Sequence, residues 1–220
     1  VACASPSGEE VAQIGLAAET PLPSRRGAVL VDGCVLDTWS RTTLAQPATR
    51  KVVSEVVMLC LVPRESGEVG PRDASARAAI RGLASDLAKD GYTVTLGVAF
   101  TDESGQRYDG AQTRDWLSRP AFRQRLRETL VEAASLADGV ELDLQKLPND
   151  ARADVTALVS ELSVALRPSK RLAVFVPPSV TTPSDLPGGE AFDRVALAPL
   201  VDRLRVMTLD YSEQAPGPTI

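Results

Sequence analysis

Apolar, β-branched runs alternate along this chain with stretches whose apolar residues recur every three or four positions, and the two periods divide it into strands and helices. Runs at 28–36, 52–62, 93–100, 139–144, 172–176 and 204–209 predict six strands. Between them, 74–90 carries Ala76, Ile80, Leu83 and Leu87 at helical spacing, and 120–136 carries Phe122, Leu126, Leu130 and Ala133. The stretch 149–166 repeats the design with Val155, Leu158, Val159, Leu162 and Ala165, and 192–201 predicts a shorter helix. Strand followed by helix, repeated, implies parallel strands joined by helical crossovers. That is an α/β fold, either an open doubly wound sheet or a TIM-type (β/α)8 barrel.

The segment Asp138-Gly-Val-Glu-Leu-Asp-Leu-Gln145 separates the two. Period two puts Glu141, Asp143 and Gln145 on one face and Val140, Leu142 and Leu144 on the other. Taken alone, the polar row is either the solvated face of a half-buried strand or a catalytic or sugar-binding row. A central strand of a doubly wound sheet is covered on both faces and reads as a continuous apolar run, so the alternation favours a barrel. In barrels the reactive groups gather at the C-terminal strand ends, where Asp143 and Gln145 fall. Eight strands make a barrel and six are legible here, so the expected fold is an incomplete TIM barrel of about six β/α units over 27–220. Residues 1–26, mixed Ser, Pro, Gly and Glu, read as a tether with one possible helical turn at 11–18.

Composition narrows the chemistry. The chain has 44% hydrophobic and 24% charged residues, the balance of an ordinary globular domain. Its net charge of -5, with Lys and Arg scattered, argues against nucleic acid as a partner. There is no histidine, which removes Ser/His/Asp and Cys/His catalysis and imidazole metal ligands and leaves acid-base work to carboxylates. No glycine-rich phosphate loop is present, so no nucleotide cofactor is expected, and the three dispersed cysteines predict no metal site. Cys34 and Cys60, inside apolar runs, read as buried free thiols, with a bridge between neighbouring strands as the alternative. Cys3, in Val-Ala-Cys-Ala-Ser, looks like a bacterial lipoprotein processing site; lipidation there would tether the domain to a membrane surface.

Four motifs in order resemble glycoside hydrolase family 18, the chitinases, endo-N-acetylglucosaminidases and their non-catalytic relatives. The family's fourth strand reads Asp-Gly-x-Asp-x-Asp-x-Glu; Asp138, Gly139 and Asp143 match, Glu141 stands for an aspartate, and Gln145 replaces the glutamate. The stretch from Leu117 to Leu126 resembles the preceding helix, and Thr95-Leu-Gly-Val98 loosely resembles the third-strand motif. Met207-Thr-Leu-Asp210-Tyr211 resembles the sixth-strand Met-x-Tyr-Asp, with Leu209 in place of tyrosine. The resemblance covers roughly 27–215.

It implies a substrate-assisted hydrolysis, in which the sugar's acetamido oxygen attacks the anomeric carbon, an aspartate orients it and the glutamate protonates the leaving oxygen. Asp143 retains the orienting role, with Glu141 behind it. Gln145 has no proton to give, and Leu209 lacks the phenol that would bond the acetamido group. The expected function is therefore non-hydrolytic: a carbohydrate-binding or accessory protein of the bacterial cell envelope, anchored through Cys3 on the extracytoplasmic side. Its expected partner is an N-acetylglucosamine-type glycan or an envelope protein. Asp143, Gln145 and Asp210 are the expected hydroxyl-binding groups, and Trp39 is either a stacking platform or a packing residue. Tyr211 is either a core lid or a ligand contact, and Trp116 is expected to be structural. The alternative is an active glycosidase whose acid is displaced to Glu141 or Glu213.

Overall fold

The structure, a computed structural model, describes residues 27–72, 76–102, 107–178 and 188–207. Its strands are β1 (Gly27–Asp32), β2 (Val53–Pro63), β3 (Val69–Pro71), β4 (Thr93–Ala99), β5 (Gly139–Asp143), β6 (Arg171–Val176) and β7 (Arg203–Val206). Six of them are parallel neighbours in the order β1-β2-β4-β5-β6-β7, while β3 folds back antiparallel on the end of β2. Helices α1 (Thr38–Ala45) and α2 (Pro47–Val52) connect β1 to β2, and α3 (Arg77–Lys89) leads to β4. Then α4 (Gly110–Leu117) and α5 (Pro120–Ala134) lead to β5, α6 (Arg152–Leu166) to β6, and α7 (Arg194–Leu197) to β7. The parallel sheet curls into a half-barrel, the incomplete TIM barrel of about six β/α units expected from the sequence.

Strand alternation divides the core in two. The outward row (Val94, Leu96 and Val98 on β4, Val140 and Leu142 on β5, Leu172 and Val174 on β6) has no solvent exposure. It forms one cluster with Ile80 and Leu83 of α3, Leu126 and Leu130 of α5, and Val155, Leu158 and Leu162 of α6. The inward row carries Glu55, Thr95, Glu141 and Arg205, from β2, β4, β5 and β7. Arg205 Nε donates to Glu141 Oε1 at 2.6 Å and a terminal nitrogen donates to Glu55 Oε1 at 2.8 Å, so one side chain ties β7 to β5 and β2. The Thr95 hydroxyl donates to the same Glu55 oxygen at 3.1 Å, and Arg203 Nε lies 3.4 Å from its other oxygen. Of the two readings of its alternation, the solvated face is thus the wrong one: the strand is buried along its whole length, with its polar face turned into the barrel.

Several boundaries differ from the sequence expectation for physical reasons. The first strand stops at Asp32 because Gly33 turns the chain with φ 133°, and Asp37 then accepts from the Ser40 N–H at 2.6 Å to cap α1. Trp39 consequently belongs to α1. The segment 110–117, too polar to show a clear period, becomes α4 because Asp109 caps it through the Gln112 N–H at 2.9 Å. The helix expected at 192–201 is a four-residue α7 followed by a 3-10 turn at Ala198–Leu200, where Pro199 has no N–H to continue the α-helix. The tether at 1–26 and the end of the last expected strand lie outside the described residues.

Cys34 and Cys60 are a correction: they are not free thiols but a disulfide, with Cα atoms 4.9 Å apart. The β1/β2 register explains it. Asp32 lies beside Leu59, so the residues just beyond the end of β1 come down against Cys60. The bridge pins an edge strand that otherwise pairs on one side only among the described residues. Replacing both cysteines by serine is expected to lower the unfolding free energy by about 3 kcal/mol, read from urea denaturation of the oxidised wild type against the variant.

Candidate functional site

At the C-terminal ends of the strands, the site is built around Asp143, the last residue of β5. Its backbone carbonyl accepts from the Phe100 N–H at 3.0 Å, which locks the end of β5 to the segment after β4. Gln145 Nε2 donates to both carboxylate oxygens of Asp143, at 3.0 and 3.1 Å. The Tyr108 hydroxyl donates to Asp143 Oδ2. Tyr108 reaches this place because it forms an antiparallel bridge with Thr101, just beyond the end of β4. Burial, followed by the Asp143 charge, holds the phenol's pKa well above its ordinary value, so Tyr108 remains a donor at any physiological pH. Asp143 is buried, while Gln145 and Tyr108 are half-buried and line the route to it.

The loop that carries Gln145 is shaped from outside. Lys146, the next residue, has φ 58°, a left-handed conformation that costs a non-glycine residue free energy. Gly110, the first residue of α4, sits so close that a Cβ there would overlap the Lys146 carbonyl. Packing of the α4 N-terminus on this turn therefore fixes where the Gln145 side chain starts. On the rim, Asp32 at the end of β1 pairs with Arg72, just after β3, at 3.0 Å.

Glu141 lies one pleat below Asp143 and is fully buried. Its carboxyl is raised to about 7, chiefly by burial; Arg205 opposes the rise, and the charges of Glu55 and Asp143 add to it. Its Oε1 is held by Arg205 and its Oε2 is buried without a hydrogen-bond partner. Of the residues singled out in the sequence, the structure brings Asp143 and Gln145 into contact and sets Glu141 beneath them. Trp39 stands apart on α1, 75% exposed. Trp116 is buried, its ring stacked on Phe122 with centroids 5.4 Å apart. Cys3, Leu209, Asp210, Tyr211 and Glu213 lie outside the described residues. Sequence reasoning missed Tyr108, Arg72, Glu55 and Arg205. The alternation Arg203-Leu-Arg205-Val was the one available signal, because it puts two guanidinium groups on one face of the last strand. The 101–109 loop offered none.

No protein-family model matches the chain, and no curated protein matches its sequence. Solved structures do match its fold. A chitinase from Chromobacterium violaceum superposes with a TM-score of 0.71 at 18% identity, over 89% of this chain and 60% of that one. The spore cortex-lytic enzyme SleL from Bacillus cereus gives 0.71 at 14% identity, over 88% and 44%. A class V chitinase from Pseudomonas fluorescens gives 0.69 at 20% identity, over 88% and 57%. The fold is thus that of chitinase-type barrels, as the resemblance to glycoside hydrolase family 18 implied, and the chain spans about half the length of these matches.

Two measurements test the interior. Replacing Arg205 by leucine strands the buried Glu141 carboxylate, and the expected loss at pH 7.5 is roughly 3–5 kcal/mol, measured by denaturant unfolding; it should shrink at pH 5, where the raised Glu141 carboxyl takes up a proton. The second concerns Glu141. Because its folded pKa is raised from 4.5 to about 7, its contribution is fully present below pH 4.5 and is lost as pH rises through 7. The stability difference between wild type and Glu141→Gln, followed across that window, should therefore fall by on the order of 3 kcal/mol.

Proposed function

We propose that this chain is the sugar-holding barrel of a non-hydrolytic carbohydrate-binding protein of the bacterial cell envelope. The observation that carries this reading is the Gln145 amide seated on Asp143. At the position where the resemblance implies a general acid, a neutral amide spends its donor hydrogens on the neighbouring carboxylate. General acid catalysis contributes typically about 10²- to 10⁴-fold, and an amide supplies none of it. Leu209, where the resemblance implies a tyrosine, removes a second part of the hydrolytic machinery. What remains is a polar, half-exposed mouth with a fixed carboxylate, an amide carbonyl and a phenol, all suited to sugar hydroxyls and acetamido groups.

The chitinase and cortex-lytic names of the structural neighbours support an N-acetylglucosamine-containing glycan as the ligand. The Cys34–Cys60 disulfide supports an oxidising, extracytoplasmic location, in keeping with a lipid anchor at Cys3. An accessory subunit is the second reading. It is favoured by Leu30, which lies on the inner face of β1 yet is 47% exposed, an apolar surface of the kind a partner covers. An active glycosidase using Glu141 fits less well, because that carboxyl is buried below the mouth in the grip of Arg205.

Calorimetric titration with N-acetylglucosamine oligomers should give saturable binding that Asp143→Ala weakens about tenfold or more, with the fold checked by circular dichroism. No release of fluorophore from a fluorogenic N-acetylglucosaminide is expected from the wild type, and little from Gln145→Glu, since Leu209 is unchanged. Substantial wild-type turnover would overturn the proposal.

A further inference from the structure

We propose that the Asp32–Arg72 pair makes this mouth select glycans whose amino sugars carry a carboxylate, as lactyl ethers do, over neutral ones. The inference rests on the glycan-binding reading above and adds a substrate class to it. Asp32 closes β1, and the Arg72 N–H donates to the Cys60 carbonyl at 3.2 Å, so both residues stand on the C-terminal rim of neighbouring strands. The parallel registers of β1, β2, β4 and β5 put this rim on the same side of the sheet as Asp143 and the Tyr108 hydroxyl that donates to it.

The neighbouring charges leave this cation the task. Arg205 and Arg203 are committed to Glu55 and Glu141 inside the barrel. Asp143 is an anion already facing two donors, and Gln145 is neutral. An acidic sugar entering the mouth meets the Arg72 guanidinium on the rim, and that guanidinium is held by a weak partner. The Arg72 and Asp32 side chains are 32% and 75% exposed, and an ion pair so wet contributes about 0–1 kcal/mol. A ligand carboxylate can displace Asp32 at little cost and accept two parallel N–H bonds from the planar guanidinium, while Asp32 turns to water. A neutral sugar gains nothing comparable from the exchange.

The test compares N,N′-diacetylchitobiose with the disaccharide of N-acetylglucosamine and N-acetylmuramic acid, by calorimetry on the oxidised chain at low salt. The acidic disaccharide should bind about tenfold more tightly, the advantage should narrow in 0.5 M salt, and Arg72→Ala should bring the ratio close to one. Asp32→Asn, which frees the guanidinium, should raise the ratio several-fold. If Arg72→Ala does not fold, the Asp32→Asn ratio decides: an increase supports the inference, and no change or a decrease overturns it. Equal binding of the two disaccharides by wild type, or a preference that survives Arg72→Ala, overturns the inference and leaves the glycan-binding reading standing. If neither disaccharide binds, that reading fails and takes the inference with it.

Discussion

The curl of this sheet depends on the arginines of its last strand, Arg205 above all. Neighbouring strands are held by backbone hydrogen bonds, but β7 and β2 are separated by β4, β5 and β6, and it is Arg205, with Arg203 beside it, that spans the interior between them. Burying charge is expensive, and a buried ion pair is retained only where its geometry satisfies both partners. Here Glu55 Oε1 accepts from both Thr95 and Arg205, and Glu141 accepts the Nε–H, so three strands are referenced to a single guanidinium. An apolar interior would pack without specifying distance or angle. A fork with fixed donor directions sets both, and so decides how far the sheet closes and where the mouth above it lies.

This explains which parts of the molecule were legible in the sequence. The outer layer was, because Ile80, Leu83 and Leu87, or Val155, Leu158, Val159 and Leu162, must recur at helical spacing to meet the outward row of strand residues. The inner layer was legible only at β5, where Glu141 and Asp143 break an apolar run. Glu55 opens a long apolar strand and gives no sign that it faces inward, and its partner Arg205 lies 150 residues away. Distance in sequence is also what hid the disulfide: Cys34 and Cys60 become neighbours only through the β1/β2 register, which periodicity cannot supply.

The mouth was half legible for a related reason. Asp143 and Gln145 sit on one strand and its extension, so period two was enough to put them together. Tyr108 and Arg72 arrive on irregular segments, and their positions follow from a bridge to Thr101 and a hydrogen bond to Cys60. Such loops obey no repeating pattern, yet they supply half of the polar groups in the site. The result is a rigid floor, set by the barrel, under a rim assembled from three separate connections.

Gly110 has a bearing on inheritance. A glycine opening a helix is a poor choice by propensity, and most first-turn positions drift freely among polar residues. Here the space for any side chain is filled by the main chain of Lys146, so position 110 and the turn after Gln145 can change only together. Drift at one is closed unless the other moves in the same step. Among distant sequences that keep little else in common with this one, a glycine after a helix-capping aspartate, 33 residues before the end of an acidic strand, is a mark by which the same mouth can be traced.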